Sequence, residues 1–517
     1  MQEIWNSVIV NYNHFVFFFA SSIMLWYLII SLISIREILL YKRKNSFIDF
    51  KKLLSSPYTP AISIVAPAFN EGKTIISNVH SLLSLQYPRY EVIIVNDGSS
   101  DSTLVKLVRE FDLVKVDFAY HEHITTGPIR GIYKSTNLAY SKLIVLDKEN
   151  RKNKADALNT GINIASNPYY VCCDVDCIID NQALLKLIKP VIDEEKRVIA
   201  NGAVIRIANG CDVEQGFLVN VKAPKNFLTS IQEVEYLRSF LLGRMAWSKI
   251  NGLIIVSGGI GLFDKKVAIA VGGYDTKSFG EDMEMTVRMR KYMNNLRIDY
   301  QVKYIPESLC WTEVPPNLNI FIKQRVRWTK GLVQTLLDHR KMWFNSKYGR
   351  LGLISFPYWI FYEWLAPLIE FFGLLIYVYL IVCGLINIEY SLLLLAFVFS
   401  YAVMITTVSI IWEEYTNQVY KSKKEIFQLL MVVFLEPFFY HPLIILSSIK
   451  GNLSLMFSTG HQWGDMGRME MEAPAQLVLS ETVSQKTDSN GLPVENYKLA
   501  KNPAQTFKTD PVPNSLT

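Results

Sequence analysis

The chain has 517 residues, of which 50% are hydrophobic and only 19% are charged. Soluble proteins usually carry about 25% charged residues, so this composition excludes a disordered chain and indicates that part of the protein lies in lipid. The net charge of +6, from 53 basic and 47 acidic residues, is too small to indicate a nucleic-acid-binding protein, which usually carries dense basic patches.

The first predicted element is a membrane-spanning helix near the N-terminus. The run from Ile4 to Ile35 has no acidic or basic side chain apart from His14, and it is long enough to cross about 30 Å of hydrocarbon. A secretory signal peptide has a basic start and a short apolar core, whereas here Glu3 precedes the run and the basic residues follow it. We therefore predict an uncleaved anchor at residues 1–40.

Short β-branched runs then alternate with helix-like stretches, such as residues 73–85, between about 61 and 310. This alternation implies an α/β domain around a largely parallel sheet. In open sheets of this kind, ligands bind beyond the carboxyl ends of strands, and the polar clusters of this chain fall at those ends. The predicted strands are 62–67, 91–96, 142–147, 169–176 and 197–207.

Asp174 and Asp176 form an Asp-x-Asp sequence directly after an apolar strand. A chain of this length contains about one such sequence by chance, so the context carries the prediction. Two unpaired carboxylates would be costly to bury there, and hard oxygen ligands at a strand end suit Mg²⁺ or Mn²⁺ that holds a substrate diphosphate. The alternative is a pair of carboxylates that cap the following helix.

Asp97 follows the second strand in an Asn-Asp-Gly sequence. Asp-Gly is a strong turn signal, but a helix-like stretch follows, so the carboxylate is left at a strand end. Lys154 precedes a helical run and can pair with a phosphate, although a solvated lysine explains it equally well. The glycine-rich segments 258–261 and 272–273 lack the known phosphate-binding sequences, but they allow close approach of the backbone to a ligand.

Glu281 and Asp282 open another helical stretch. The helix dipole favours acidic residues in a first turn, so a capping role is the alternative to a chemical one. Further on, Arg325, Arg327 and Trp328 join two guanidinium groups to an aromatic platform. Arginine forks match phosphate oxygens and an indole face suits a sugar ring, while an aromatic and basic belt at the membrane interface is the alternative for both.

Three more membrane spans are predicted in the C-terminal part, at about residues 361–386, 390–412 and 426–449. For the second of them, the alternative is a buried core helix. Just before these spans, residues 318–350 mix aromatic and basic side chains, which is typical of an amphipathic helix in the membrane interface. From about residue 466, the last 52 residues hold five prolines and almost no aromatic side chains, which predicts a disordered tail.

The distribution of lysine and arginine predicts the orientation of the spans. None precedes the first span, six lie within 36–52, and three lie in the link at 413–425. By the positive-inside rule, residues 41–350 and 413–425 therefore face the cytoplasm. Four ionisable residues fall in or near the spans, either as functional groups or at the interface: Glu363, Glu370, Glu436 and His441.

The six cysteines include no Cys-x-x-Cys pair. A zinc site would need better ligand spacing, so we interpret them as reduced residues that pack in a cytoplasmic domain.

In this order and spacing, the motifs resemble those of the family 2 inverting glycosyltransferases. The closest resemblance is to the membrane-embedded processive synthases of cellulose, chitin, hyaluronan and poly-N-acetylglucosamine, and it covers about residues 60–345 and the flanking helices. The matching sequences are PAFNE (67–71), VNDGSSD (95–101), NKADALN (153–159), DVD (174–176), GED (280–282) and QRVRW (324–328). The last of these, QRVRW, has the QxxRW pattern of the family and is the most specific.

The resemblance implies an α/β domain of the GT-A fold, inserted between transmembrane helices with one before it and about three after it. It also implies a UDP-sugar donor, inversion at the transferred sugar, and a growing β-linked polysaccharide, for example one like poly-N-acetylglucosamine. Asp282 would be the general base and Asp176 would ligate Mg²⁺ or Mn²⁺. The residues that would bind substrate are Asp97 at the uracil, Asp174 at the nucleotide sugar, Lys154, Glu281, and Gln324, Arg327 and Trp328 at the donor diphosphate and the acceptor end.

The chain departs from the family pattern at two motif positions. Gly280 stands where the family commonly has threonine before Glu-Asp, and Asn153 stands where it has glycine before the lysine. In addition, one predicted span precedes the domain where many relatives have two, which leaves the architecture of a polymer channel open.

The predicted protein is therefore an integral membrane enzyme, of the bacterial inner membrane, with a cytoplasmic catalytic domain. Its expected partners are the donor, a carbohydrate or lipid-linked acceptor, membrane lipids and accessory polysaccharide-export proteins, with no nucleic acid. Two alternatives are a non-processive transferase that adds one sugar to a lipid, and a nucleotide-binding membrane sensor or transporter. The predicted domains are the anchor (1–40), the catalytic domain (41–317), the interfacial region (318–350), the C-terminal spans (351–465) and the tail (466–517).

Overall fold

The computed structural model describes residues 2–45 and 50–457. The predicted disordered tail at 466–517 lies outside the described residues. The helices are α1 (Gln2–Asn45), α2 (Phe50–Ser55), α3 (Ile75–Leu83), α4 (Thr103–Glu110), α5 (Lys154–Ile164), α6 (Ala183–Asp193), α7 (Phe227–Tyr236), α8 (Arg244–Lys249), α9 (Lys265–Ala270), α10 (Glu281–Asn295), α11 (Leu318–Asp338), α12 (Phe356–Tyr358), α13 (Ala366–Val382), α14 (Ile388–Asn417) and α15 (Lys423–Phe457).

The strands match the predicted ones closely where a prediction was made. They are β1 (Ile62–Ala68), β2 (Tyr90–Asn96), β3 (Leu113–Val116), β4 (Ile129–Ser135), β5 (Leu143–Lys148), β6 (Tyr169–Cys173), β7 (Ile178–Ile179), β8 (Arg197–Ile207), β9 (Asp212–Glu214), β10 (Phe217–Asn220), β11 (Ile260–Asp264) and β12 (Tyr300–Thr312).

Ten of these strands form one sheet in the order β3-β4-β5-β2-β1-β6-β11-β8-β12-β7. Strands β5, β2, β1 and β6 run parallel. Strand β11 enters antiparallel between β6 and β8, and β3 and β4 add an antiparallel edge. The sheet is therefore mixed, and the prediction of a largely parallel sheet was wrong, because these antiparallel strands come from segments for which no strand was predicted.

The parallel strands bring the ends of four chain segments to one edge of the sheet. Strands β1, β2, β5 and β6 all point the same way, so the loops that follow them lie side by side. Strand β8 also ends in a parallel pair, with β12. Four of the predicted motifs lie at the ends of these strands or in the loops that follow them, which is the placement expected for ligand-binding residues in an open α/β sheet: 67–71, 95–101, 153–159 and 174–176.

Within the residues that the structure describes, four helices are long and apolar enough to cross a membrane. One lies before the sheet domain and three after it, as predicted, and the span at 390–412 lies within α14, most of whose apolar window is exposed rather than buried in a core. The second span begins earlier than predicted, because helical turns continue from Leu351 through two π-helical segments into α13. The spans are Val10–Asn45, Leu351–Val382, Ile388–Asn417 and Lys423–Phe457.

Buried and partly buried ion pairs join the sheet domain to the membrane helices. Arg206 of β8 pairs with Glu233 of α7 at 2.5 Å and with Glu413 of α14 at 2.6 Å, and all three side chains are almost fully buried. Arg238, in the π-helical segment after α7, pairs with Glu436 of α15 at 2.8 Å. These pairs tie α14 and α15 to the elements that pack against the sheet.

The other ionisable residues of the spans also have partners. His441 of α15 lies 2.8 Å from Glu370 of α13. Glu363 accepts a hydrogen bond from the Tyr358 hydroxyl at 3.0 Å. Together with the pairing of Glu436, these contacts give each of the four residues a structural role between neighbouring helices or turns.

Candidate active site

Lys154 and Asp174 meet at the carboxyl edge of the sheet. The Lys154 ammonium forms an ion pair with the Asp174 carboxylate, and the lysine side chain is only 10% exposed. This excludes the solvated lysine that the sequence left open. Lys154 is the first residue of α5, and the helix begins there because the Asn153 side chain accepts a hydrogen bond from the Ala155 N–H at 2.9 Å. The asparagine in place of the family glycine therefore acts as a helix cap.

The Asp-x-Asp sequence forms part of a cluster that can hold a metal ion. Ligand atoms of Asp174, Asp176 and Cys177 all lie within 4.8 Å of one another. Burial, reinforced by the neighbouring Asp174, raises the pKa of Asp176 to about 7, so the charged form of this carboxyl is destabilised where it lies. A divalent cation would relieve that cost, and carboxylate oxygens are suitable ligands for Mg²⁺ or Mn²⁺. The residues therefore fit the metal that the resemblance implies.

Cys177 was not predicted to belong to this cluster. We interpreted the cysteines as packing residues, and Cys172 and Cys173 are indeed buried in β6. Cys177 is also buried, but its sulfur faces the two carboxylates. Nothing in the sequence pattern distinguishes it, because the cluster forms only when the chain turns after β6.

Asp282 lies in the first turn of α10 and faces a glycine loop. Its Oδ1 accepts a hydrogen bond from the Met283 N–H at 2.8 Å, while its Oδ2 accepts one from the Gly258 N–H at 3.0 Å. A Cβ placed on Gly258 would lie 3.5 Å from that Oδ2 and 3.4 Å from the Lys154 ammonium. The backbone of the glycine loop at Gly258 therefore lies close to both the Asp282 carboxylate and the Lys154 ammonium.

The environment of Asp282 raises the pKa of its carboxyl group. Burial, reinforced by the negative charge of Glu281, raises the pKa of Asp282 to about 6. A general base works best when its pKa lies near the operating pH. Asp282 is therefore ionised at neutral pH but basic enough to accept a proton.

A contact between two glycines places the QRVRW helix beside Asp282. A Cβ on Gly280 would lie 3.0 Å from the Cα of Gly331, and a Cβ on Gly331 would lie 2.8 Å from the Cα of Gly280. The start of α10 and the middle of α11 therefore touch through their backbones. The threonine that the family commonly has in place of Gly280 would not fit this contact without a shift of one element.

Arg325 is not available to phosphate, which corrects the hypothesis that both arginines bind it. Its two terminal nitrogens donate to the two carboxylate oxygens of Glu235, each at 2.6 Å. The side chain is buried, and its guanidinium lies 4.3 Å from the centre of the Trp328 ring. Arg325 therefore stabilises the packing of α11 on α7 and supports the indole.

The remaining residues of the motif keep unsatisfied polar groups. Gln324 Oε1 and Arg327 Nε are buried, and neither has a hydrogen-bond partner within the described part of the chain. Such groups are costly to leave unpaired, and a polar ligand that reached them would supply the missing partners. The side chain of Trp328 is 40% exposed, so its free face can pack against a further group.

Asp97 is held by a lysine that the sequence analysis missed. Lys148, the last residue of β5, lies 2.7 Å from Asp97 Oδ1 and 2.7 Å from Asp156 Oδ2. Its side chain is 0% exposed. A single lysine at the end of a strand carries no recognisable sequence signal, and its importance becomes visible only when β5 pairs with β2.

Comparisons with known proteins agree with the resemblance. The sequence model described as "Glycosyltransferase like family 2" matches residues 60–331, and one described as "Chitin synthase" matches residues 272–436. A poly-beta-1,6-N-acetyl-D-glucosamine synthase from Staphylococcus epidermidis is 30% identical over 322 residues, which are 62% of this chain and 63% of the relative. The protein of the same description from Staphylococcus aureus strain COL is 28% identical over 314 residues, 60% of this chain and 64% of the relative.

The matched region spans less than two thirds of the length of these relatives. Among solved structures, a mannosyltransferase from Pyrobaculum calidifontis in complex with GDP-Man and Mn²⁺ superimposes with a TM-score of 0.47 at 16% identity. The superposition covers 85% of this chain and 100% of that one.

Proposed function

Since this chain belongs to the glycosyltransferase-like family 2, with a mixed α/β sheet of GT-A-like fold and apolar helices on both sides, we propose that it is a membrane-embedded polysaccharide synthase. It transfers a sugar from a UDP-sugar to the end of a growing β-linked polymer, with inversion at the anomeric carbon. The relatives described as poly-beta-1,6-N-acetyl-D-glucosamine synthases make UDP-N-acetylglucosamine the first donor to test.

One observation carries the proposal: the acid, the lysine and the motif helix converge on one edge of the sheet. Asp282 and Lys154 both lie beside Gly258, and Lys154 is paired with Asp174. The contact of Gly280 with Gly331 brings α11 to the same place. A site that only bound nucleotide would have no use for a half-buried carboxyl of raised pKa beside a sugar-binding aromatic platform.

The proposed reaction breaks one bond and forms another at the same carbon. Asp282 accepts the proton of the acceptor hydroxyl, and the oxygen attacks the anomeric carbon on the face opposite the leaving diphosphate, as inversion requires. The bond from that carbon to the diphosphate oxygen breaks, and UDP leaves with the electron pair. Lys154 and Arg327 stabilise its growing charge, and Trp328 orients the acceptor sugar.

The metal would be held by Asp174 and Asp176. When bound there, Mg²⁺ or Mn²⁺ supplies positive charge to the donor diphosphate. Either ion suits two carboxylates.

The proposed enzyme lies in the bacterial inner membrane with residues 41–350 in the cytoplasm, where UDP-sugars are made. The lysines and arginines in the last turns of α1 and after it, including Lys51 and Lys52, support this orientation. A single cysteine at position 51, in a variant without other reactive thiols, should react with an impermeant maleimide only after the cells are opened. Labelling in intact cells would place the domain outside.

Membrane lipids and export proteins are proposed partners.

The decisive experiment incubates the purified full chain with a panel of radiolabelled UDP-sugars and an acceptor oligosaccharide. The proposal expects UDP release together with a ladder of products from one donor. A single labelled lipid would favour the non-processive transferase, which QRVRW and the three late spans argue against. Nucleotide binding without release of UDP would favour the sensor or transporter.

A further inference from the structure

Lys148 is the most completely buried cation near the proposed donor site that the mechanism does not use. Its ammonium has three acceptors, each at 2.7 Å: Asp97 Oδ1, Asp156 Oδ2 and the carbonyl oxygen of Glu149. A buried ammonium is costly unless it is paired and hydrogen-bonded. All three hydrogens of this ammonium are used, and with no exposed surface the side chain can act only through its neighbours.

Strand pairing fixes the position of Lys148 beside Asp97. In the parallel pair of β2 and β5, Asn96 lies opposite Asp147, so the residues that follow them, Asp97 and Lys148, lie side by side at the carboxyl ends of the two strands. Burial raises the pKa of Asp97, and Lys148 is the first of the groups that oppose this shift and favour the charged form. The ammonium thus both positions Asp97 and favours its carboxylate form.

The carboxylate of Asp156 connects Lys148 to α5, the helix that begins with Lys154. Asp156 lies in the first turn of α5, two residues after Lys154, and also accepts a hydrogen bond from the Gly127 N–H at 3.1 Å. The ammonium therefore joins the loop that carries Asp97 to the helix that presents Lys154. A displacement of Lys148 would change both the position of Asp97 and its charge.

We propose that Lys148 is a positioning residue that determines base specificity, because it holds Asp97 in place as a carboxylate that accepts the N3–H of uracil. This inference rests on the proposed use of a UDP-sugar. A carboxylate is an acceptor only, so it pairs with the N3–H of uracil and is mismatched to the unprotonated N3 of cytosine. Without the ammonium, Asp97 and Asp156 would be two buried carboxylates at one site, and one of them would take up a proton. A protonated Asp97 can donate to cytosine, so the preference for uracil should weaken.

The test measures the affinities of the full-length protein in detergent for UDP and CDP, with Mg²⁺ present throughout. Lys148→Met should weaken UDP binding about tenfold or more, which is the usual effect of losing a hydrogen bond to a charged group, and should reduce the ratio of UDP to CDP affinity. Lys148→Arg, which keeps the charge, should keep a clear preference for UDP. If wild-type protein does not bind UDP, the proposed function fails; if it binds UDP and folded Lys148→Met retains wild-type affinity and preference, only the present inference fails.

A matched control separates specificity from folding. Lys189 is also buried and pairs with one carboxylate, Asp193, on α6. Lys189→Met should lower the melting temperature without any change in nucleotide preference. If Lys148→Met does not fold, the double variant Lys148→Met with Asp156→Asn removes the clash of two carboxylates but still leaves Asp97 without the ammonium that positions it, so both its UDP affinity and its UDP to CDP ratio should lie below those of the wild type; wild-type values would overturn the proposal. Failure of this variant to fold would assign Lys148 to stability alone and overturn the proposal.

Discussion

Gly280 and Gly331 touch with no side chain between them: a Cβ on Gly280 would lie 3.0 Å from the Cα of Gly331. Asp282 follows Gly280 by two residues, and Trp328 precedes Gly331 by less than one helical turn. The contact therefore sets the distance between the proposed base and the proposed acceptor platform.

Enlarging Gly280 should separate these two groups. Gly280→Ala and Gly280→Thr should both lower polymer synthesis, with the larger loss for threonine, and should destabilise the fold by about 1–3 kcal/mol, the usual effect of overpacking. The measurements are turnover per folded molecule and thermal unfolding. Gly243→Ala is the control, because the nearest atom to its added Cβ is 4.0 Å away. Full activity of Gly280→Thr would show that the glycine contact does not set the site.

Replacing the proposed base should separate chemistry from binding. Asp282→Asn keeps the size of the side chain and removes its basicity, so sugar transfer should fall about 10²- to 10⁴-fold, while the affinity for UDP changes little. Asp299→Asn, at an exposed carboxylate that pairs with Lys196, serves as the control. If Asp282→Asn loses UDP binding and keeps turnover per bound donor, then Asp282 is not the base.

The raised pKa of Asp282 predicts the acid limb of the pH profile. The base is active when deprotonated, so kcat/KM should be nearly constant above its pKa of about 6 and should fall as the pH drops through that value, approaching tenfold per pH unit. Steady-state kinetics from about pH 5 to about pH 8, in buffers of constant ionic strength, measure this limb. A rate that rises on acidification over this range would contradict the role of Asp282.

Removal of divalent cations should stop transfer. If Asp174 and Asp176 hold Mg²⁺ or Mn²⁺ against the diphosphate, EDTA should abolish activity and weaken binding of the UDP-sugar, and either ion should restore both. Asp176→Asn should show the same loss at ordinary metal concentration. Full activity in excess chelator would rule out the metal.

Trp328 distinguishes an acceptor platform from a membrane anchor. Trp328→Ala should insert, purify and bind UDP, but should make little polymer, because positioning of the acceptor can contribute several kcal/mol to catalysis. Loss of its contact with Arg325 should cost about 1 kcal/mol of stability. Phe361→Ala, at an exposed aromatic residue of a membrane span, is the control. Wild-type specific activity of folded Trp328→Ala would exclude the acceptor role.

The elements with strong local patterns could be predicted from the sequence. The five predicted strands match the structure except that the one begun at 169 ends at Cys173, and all four spans are present. The convergence of Lys154 with Asp174 also follows from order along the chain, because loops after parallel strands meet at one edge. Periodicity and strand polarity are local signals, and they suffice for this much.

The parts that were missed depend on contacts between distant residues. Strand β11, which makes the sheet mixed, is a short segment whose place between β6 and β8 depends on pairing rather than on its own sequence. From the sequence, Arg325 resembles a phosphate ligand. In the structure, both of its terminal nitrogens donate hydrogen bonds to Glu235, which lies 90 residues earlier in the chain. The roles of Lys148 and Cys177 likewise appear only once the chain has folded.

The buried ion pairs between the sheet domain and the membrane helices limit how this protein can be cut or recombined. Removing one partner of a buried pair costs up to about 3–5 kcal/mol when the other charge is left without compensation. A catalytic domain excised before the late helices would leave the partly exposed Arg238 without Glu436, and would leave the buried Arg206 with Glu233 but without Glu413. A graft onto the helices of a relative would fare no better unless it carried acidic residues at both places. We therefore expect the smallest exchangeable unit of this chain to contain α14 and α15 together with the sheet, so that evolution and the protein engineer must transplant them as one piece.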